Sequence, residues 1–168
     1  MSEAAFHDPA RFPFLAALEA HWQAIHAEFL AVQHELANYV ETRLHDGGWQ
    51  VVGLWNLPHR EALPEPPRRC PLTAALIERH VPSHGAVAFS VLEPGTHIRP
   101  HRGRPGPYLR AHLGLEVPAG DCRIRVADQT RGWTAGRSLV LDDRLEHEAW
   151  NRSGERRVVL LLDFIPSA

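Results

Sequence analysis

Leu15, Leu18, Trp22, Ile25, Phe29, Val32, Leu36 and Tyr39 recur at steps of three and four residues. That spacing stacks side chains on one face of a helix. It predicts one amphipathic helix, or two in series, ending near Asp46-Gly47-Gly48. His21, His26 and His34 form no pair four residues apart and read as surface positions. After the glycines the period changes. Residues 49–56 are strand-like, 57–71 carry five prolines and read as a loop, and 73–80 suit a short helix. From Gly85 onward β-character dominates, punctuated by turn signals at Pro94-Gly95, 103–107, Pro118-Ala119-Gly120 and Ser153-Gly154.

Residues 108–117 alternate most clearly. Leu109, Ala111, Leu113, Leu115 and Val117 share one strand face, and Tyr108, Arg110, His112, Gly114 and Glu116 share the other. In a sandwich the polar face would meet water. In a barrel that holds a charged ligand it can point inward, with the apolar face under helices. The long apolar N-terminal helix needs a sheet face to cover, which favours the barrel.

The 168 residues suit one domain, 1–168, with a helical part at 1–47 and a β core at 48–168. A net charge of -2 gives no electrostatic case for a nucleic-acid partner. Residues 1–14 lack the basic start and apolar core of a leader, and no apolar run has bilayer length, so the chain reads as cytoplasmic with no membrane partner. Cys70 and Cys122 read as reduced and buried.

The chemistry concentrates in 90–163. His101 and His147 are too far apart for a helical pair and can meet only through strand pairing. Neutral imidazole suits Fe(II), and non-haem iron sites commonly add one carboxylate to two histidines. The position two residues after His101, where that carboxylate usually stands, is Gly103. His97 and His101 have the i, i+4 spacing of a helical zinc pair, but Pro100 argues against a helix. Arg157 opens an apolar run, and its guanidinium fork matches a carboxylate even when buried. Arg156 would face the opposite way. Asp142, Asp143, Glu146 and Glu148 surround His147 as a solvated turn, or one of them orients the imidazole.

Three strings carry a resemblance: Pro94-Gly95-Thr96-His97-Ile98 running on to Pro100-His101 and Gly103; Leu109-Arg110 with His112-Leu113-Gly114-Leu115; and Asp142-Asp143 with Glu146-His147-Glu148 and Trp150. Together with Arg157 they resemble the aspartyl/asparaginyl β-hydroxylase family, over nearly the whole chain. The resemblance implies a mainly β fold, a double-stranded β-helix of the jelly-roll, cupin-like kind, with N-terminal helices packed on one sheet. It implies Fe(II), 2-oxoglutarate and O2 as cofactor and cosubstrates. Residue by residue, His101 and His147 match the iron ligands. Ser90 and Arg157 match the groups at the distal 2-oxoglutarate carboxylate, and Arg110 and His112 those near the metal-bound end, with Trp55 lining the same pocket. Tyr108 and Ala88 stand where the animal members are similar in carrying basic residues, which favours a small-molecule, carrier-bound or short-peptide substrate. The expected reaction is hydroxylation at an aspartyl or asparaginyl β-carbon. The alternatives are the same chemistry on a lipid acyl chain, a metal-binding module without catalysis, and a zinc hydrolase using Glu146 or Glu148 as base.

Overall fold

The computed structural model describes residues 4–55 and 66–167. In chain order the elements are β1 (Phe6–His7), α1 (Phe14–Ala20), α2 (Trp22–Val32), β2 (Ala37–Asn38), β3 (Trp49–Trp55), α3 (Pro66–Arg69) and α4 (Pro71–His80). They continue as β4 (His84–Leu92), β5 (His97–His101), β6 (Leu109–Glu116), β7 (Cys122–Val126), β8 (Gln129–Arg131), β9 (Ser138–Leu141), β10 (His147–Asn151) and β11 (Arg157–Phe164). Two sheets face each other. The larger runs β1-β9-β6-β11-β4-β3-β2 and the smaller β5-β10-β7-β8, with every strand pairing antiparallel. This is the expected jelly-roll arrangement with helices on one sheet.

The alternation in 108–117 sorts as the barrel reading requires. Leu109, Ala111, Leu113 and Leu115 join Val158, Leu160, Leu162 and Phe164 in a core beneath the helices. Into that core α1 sends Leu15 and Leu18, α2 sends Ile25, Phe29 and Val32, and α4 sends Ala74, Leu76 and Ile77. Full burial of each large apolar side chain stabilises by about 1.5–3 kcal/mol. The three from α2 therefore contribute roughly 5–9 kcal/mol as an upper bound. A second core between the sheets holds Leu92, Ile98, Cys122, Ile124, Val126, Leu141, Ala149 and Val159.

The N-terminal helix is two helices and shorter than its apolar pattern. His21 breaks the run (φ -113°) while its Nδ1 bonds the Ala17 carbonyl, satisfying a group that the broken ladder exposes. Helix α2 ends at Val32, and Tyr39 leaves the helical path because its ring stacks on Trp49, 4.1 Å between centroids, and its N–H donates to the Trp49 carbonyl at 2.8 Å. The first 47 residues are also not purely helical: β1 and β2 extend the two edges of the large sheet. His26 is half-buried against Glu116, 3.6 Å away, where a surface position was expected; His21 and His34 are exposed. Asn56 and 57–65 lie outside the described residues, whereas Pro66–Arg69, within the expected loop, is helical. The helix expected at 73–80 starts two residues earlier, with Pro71 in its first turn. Glu28 of α2 accepts from the Leu72 and Thr73 amides and the Thr73 hydroxyl at 2.7–3.0 Å, so that N-terminus is capped from another helix. Both cysteines are free and buried.

Candidate active site

The antiparallel register of β10 on β5 sets His147 directly opposite His101. Their ring centroids are 4.3 Å apart. Each ring turns its Nδ1 to a main-chain carbonyl two residues earlier: His101 to Arg99 at 2.7 Å, His147 to Leu145 at 2.9 Å. A carbonyl only accepts, so both Nδ1 atoms carry hydrogen and Nε2 is the atom each ring can offer to a metal. Burial pulls the His147 pKa down to about 4; the Leu145 carbonyl works the other way, and the neighbouring His101, Arg110 and Arg125 add to the depression. His147 is therefore neutral at physiological pH and able to act as a donor to a metal.

Strand β11 alternates as well, and Arg157 points inward while Arg156 reaches Glu116 on the helix side at 3.0 Å. Arg157 is 2% exposed. One terminal nitrogen donates to the Ser90 hydroxyl at 3.1 Å and carbonyl at 3.3 Å, and the guanidinium carbon lies 4.5 Å from the Trp133 ring centre. Its Nε has no partner among the described residues. Burial lowers its pKa to about 10, so the charge persists. Trp49 Nε1 donates to the Ser90 hydroxyl at 3.1 Å, which orients that oxygen beside the guanidinium.

Arg110 and His112 project from β6 into the same cavity. Arg110 makes a two-pronged pair with Asp163, 2.7 and 2.9 Å, and approaches Asp143 at 3.3 Å. Burial opposes its charge, but the Asp163 and Asp143 carboxylates outweigh that and bind its proton more tightly than usual. Burial raises the Asp143 pKa against the pull of Arg110. His112 is neutral because burial, then Arg157 and Arg110, depress its pKa far below the ordinary value. Its Nδ1 accepts from Trp133 Nε1 at 3.1 Å. Gly103 is explained sterically: a Cβ there would lie 2.3 Å from an Asp143 carboxylate oxygen and 3.0 Å from its carbonyl. Asp143 occupies the space that a side chain at 103 would need.

Five of the expected site residues thus surround one cavity of about 40 Å³ with His101: His147, Arg157, Ser90, Arg110 and His112. Trp55 does not. A bulge between Gly53 and Trp55 slips the register on β4, turning Trp55 into the helix-side core against His84, 4.9 Å between rings. A one-residue slip moves a side chain to the other face of a sheet. Trp49 lines the cavity instead. Glu146 and Glu148 are not poised as bases: they pair on the outer face with Arg125 at 3.1 and 2.8 Å, and His97 adds to Glu148 at 2.8 Å. His97 and His101 lie on strand β5, so their spacing forms no helical pair. The histidine rings are oriented by carbonyls rather than by an acid, and Asp142 is engaged by Arg144 at 2.6 Å. Trp49, Trp133 and Asp163 escaped the sequence reading as contributors, and Asp143, expected in a solvated turn or orienting His147, approaches Arg110 instead; period-two spacing gives Trp49 the same signal as Trp55, and no local pattern marks Trp133.

Among the described residues no three His, Cys, Asp or Glu side chains converge as a metal site. The two Nε2 lone pairs of His101 and His147 nevertheless fit a ferrous ion whose other positions are filled by ligand and water. The buried Arg157, with one orphaned N–H, and the partnerless Nε2 of His112 fit the acceptor oxygens of an acid. Ile98, Ile124, Leu141, Ala149 and Leu161 supply an apolar lining.

A family model described as aspartyl/asparaginyl beta-hydroxylase matches residues 19–166. The chain is 34% identical over 152 residues to the human aspartyl/asparaginyl beta-hydroxylase, covering 87% of this chain and 20% of that protein. It is 36% identical over 170 residues to the ornithine lipid ester-linked acyl 2-hydroxylase of Rhizobium tropici, covering 95% of this chain and 59% of that protein. The chain thus spans less than two thirds of either relative. A solved prolyl-4-hydroxylase from Pseudomonas putida shares the fold at 17% identity and a TM-score of 0.58, over 94% of this chain and 100% of that one. Among the described residues no helix is long and apolar enough to cross a membrane. With the matched segment spanning every strand of the cavity, the chain belongs to the aspartyl/asparaginyl β-hydroxylase family, a family of hydroxylases.

Proposed function

We propose that this chain is an Fe(II)- and 2-oxoglutarate-dependent dioxygenase that hydroxylates a C–H bond. The observation that carries the reading is the pairing, in one cavity, of two imidazoles whose Nδ1 atoms are turned to carbonyls, leaving Nε2 for a metal, and a buried guanidinium with no carboxylate partner among the described residues. When bound, iron would activate O2 and 2-oxoglutarate would supply two of the four electrons that reduce it, leaving as succinate and CO2, while the hydroxylated C–H bond supplies the other two. His101 and His147 would hold the metal through Nε2. Arg157 and the Ser90 hydroxyl would bind the distal carboxylate of 2-oxoglutarate, with Trp49 orienting Ser90. His112 and Arg110 would meet the end nearer the metal. Ile98, Ile124, Leu141, Ala149 and Leu161 keep water away from the reacting groups, which strengthens each charged contact.

The substrate we favour is an aspartyl or asparaginyl side chain, free, carrier-bound or in a short peptide, hydroxylated at its β-carbon. A lipid acyl chain is the second reading, motivated by the 36% identity to the Rhizobium acyl hydroxylase over 95% of this chain. The outer-face pairing of Glu146 and Glu148 leaves a zinc hydrolase without its proposed base. The test is anaerobic loading with Fe(II) and 2-oxoglutarate, then O2, with succinate measured and candidate substrates weighed for one added oxygen. Aspartyl and asparaginyl amides form one arm and ornithine-lipid micelles the other. Succinate production that needs O2 and disappears in His147→Ala supports the proposal. Metal binding without succinate formation would make the protein a non-catalytic module.

A further inference from the structure

Three histidines border one cavity, and they do not offer it the same atom. His101 and His147 donate Nδ1–H to carbonyls and keep a lone pair on Nε2. At His112 the order is reversed. The indole N–H of Trp133 can only donate, so His112 Nδ1, 3.1 Å away, must accept. A neutral imidazole has a single N–H, which therefore sits on His112 Nε2. That atom is buried and has no partner among the described residues, and the residue lines the cavity.

We infer that Trp133 is a positioning residue whose indole N–H fixes the His112 tautomer, making this third histidine a hydrogen-bond donor to an anion and not a third metal ligand. The assignment rests on the proposed function only in naming 2-oxoglutarate as that anion. The fold places Trp133 with few degrees of freedom. Gly114, two residues after His112 on the same face of β6, donates its N–H to the Arg137 carbonyl at 3.0 Å and accepts from the Gly136 N–H at 2.8 Å. A Cβ at Gly114 would lie 2.4 Å from the Thr134 carbonyl oxygen, so only glycine lets residues 134–137 lie this close. Trp133, 7% exposed, is thereby set beneath both groups it serves. Its ring face lies 4.5 Å from the Arg157 guanidinium carbon, and its edge addresses His112, with the two rings nearly parallel at 24°. One side chain holds both a donor and a cation of the cavity wall.

The experiment separates the two contacts. Trp133→Phe keeps an aromatic face under Arg157 and removes the N–H. Ring 15N–1H spectra of the free, full-length protein report the tautomer, with His112 identified by the signals lost in His112→Ala. The wild-type ring is expected in the Nε2–H form. Trp133→Phe is expected to shift it to a mixture or to Nδ1–H, and to weaken 2-oxoglutarate binding to the Fe(II)-loaded anaerobic protein about tenfold, the scale of one hydrogen bond in a buried site. In the His112→Ala background the same substitution should change that affinity less than about twofold, because coupled residues are non-additive. An Nδ1–H ring in the wild-type protein overturns the inference, and this readout needs no variant to fold. So does a Trp133→Phe loss that is undiminished without His112, which would make Trp133 a packing residue. An Nε2–H ring in a wild-type protein that does not bind 2-oxoglutarate supports the tautomer assignment and overturns the proposed function instead.

Discussion

Replacing Arg157 with methionine should make the ligand-free protein more stable while destroying its affinity for 2-oxoglutarate. Arg157 is buried, its guanidinium bonded to Ser90 and set over the Trp133 ring, and its Nε–H has no partner among the described residues. Burial pulls its pKa from the ordinary arginine value down to about 10. At about 1.4 kcal/mol for each tenfold change in proton affinity, burying this charge costs about 3 kcal/mol. Methionine removes the charge and retains an unbranched apolar stem, but it forfeits the contact with Trp133, worth about 0.5–2 kcal/mol. The net expectation is a gain of about 1–2 kcal/mol in urea denaturation of metal-free protein, as when buried ions give way to apolar side chains. Binding moves the opposite way. Truncating one partner of a buried charged pair costs about 2–5 kcal/mol, so 2-oxoglutarate should bind at least about thirtyfold more weakly to the Fe(II)-loaded protein. Calorimetric titration under argon reads that change directly. A variant destabilised by more than about 1 kcal/mol, with unchanged 2-oxoglutarate affinity, would refute the reasoning and make Arg157 a structural ion.

Two further outcomes follow from the same groups. The unfolded His147 takes a proton near 6.5 and the folded one only near 4, so its contribution is complete above pH 6.5 and is lost as pH falls towards 4. About 3 kcal/mol should disappear from the metal-free protein over that window, with His112 adding in the same direction; urea midpoints at pH 7.5 and 4.5 should converge in His147→Asn, and an equal loss in that variant would contradict the assignment. Gly103→Asp, which restores the carboxylate position of a three-ligand iron site, should not tighten iron. A Cβ at 103 meets the Asp143 carboxylate at 2.3 Å, so overpacking should cost about 1–3 kcal/mol in a thermal melt. Tighter Fe(II) binding at unchanged stability would show that Asp143 moves aside freely.

The residues that were legible share a physical cause: their signals are local. Strict alternation in 108–117 put Arg110 and His112 on one strand face, because strand side chains must point to opposite sides, and the apolar helix that needs a sheet to cover argued that this face turns inward. The same rule separated Arg157 from Arg156, and apolar steps of three and four located the helices that cover the sheet. Motif resemblance then joined His101 to His147 across the chain, and the register of β10 on β5 sets the two opposite each other. What stayed hidden depends on two distant segments meeting. Trp49 and Trp55 carry equal signals until a bulge against β4 sends one into the cavity and the other under the helices. The helix pattern runs on to Tyr39, yet stacking on Trp49 outweighs helical propensity there, a weak preference of well under 1 kcal/mol per residue. Gly103 looks like a missing ligand in the chain and like a filled space in the fold, because Asp143 comes from another strand connection. Sequence alone determined which side chains share a strand face and which chemistry they suit. Tertiary structure decided how each is held, since hydrogen-bond partners such as Trp133 for His112 and Ser90 for Arg157 are chosen by distance in space, which no local period encodes.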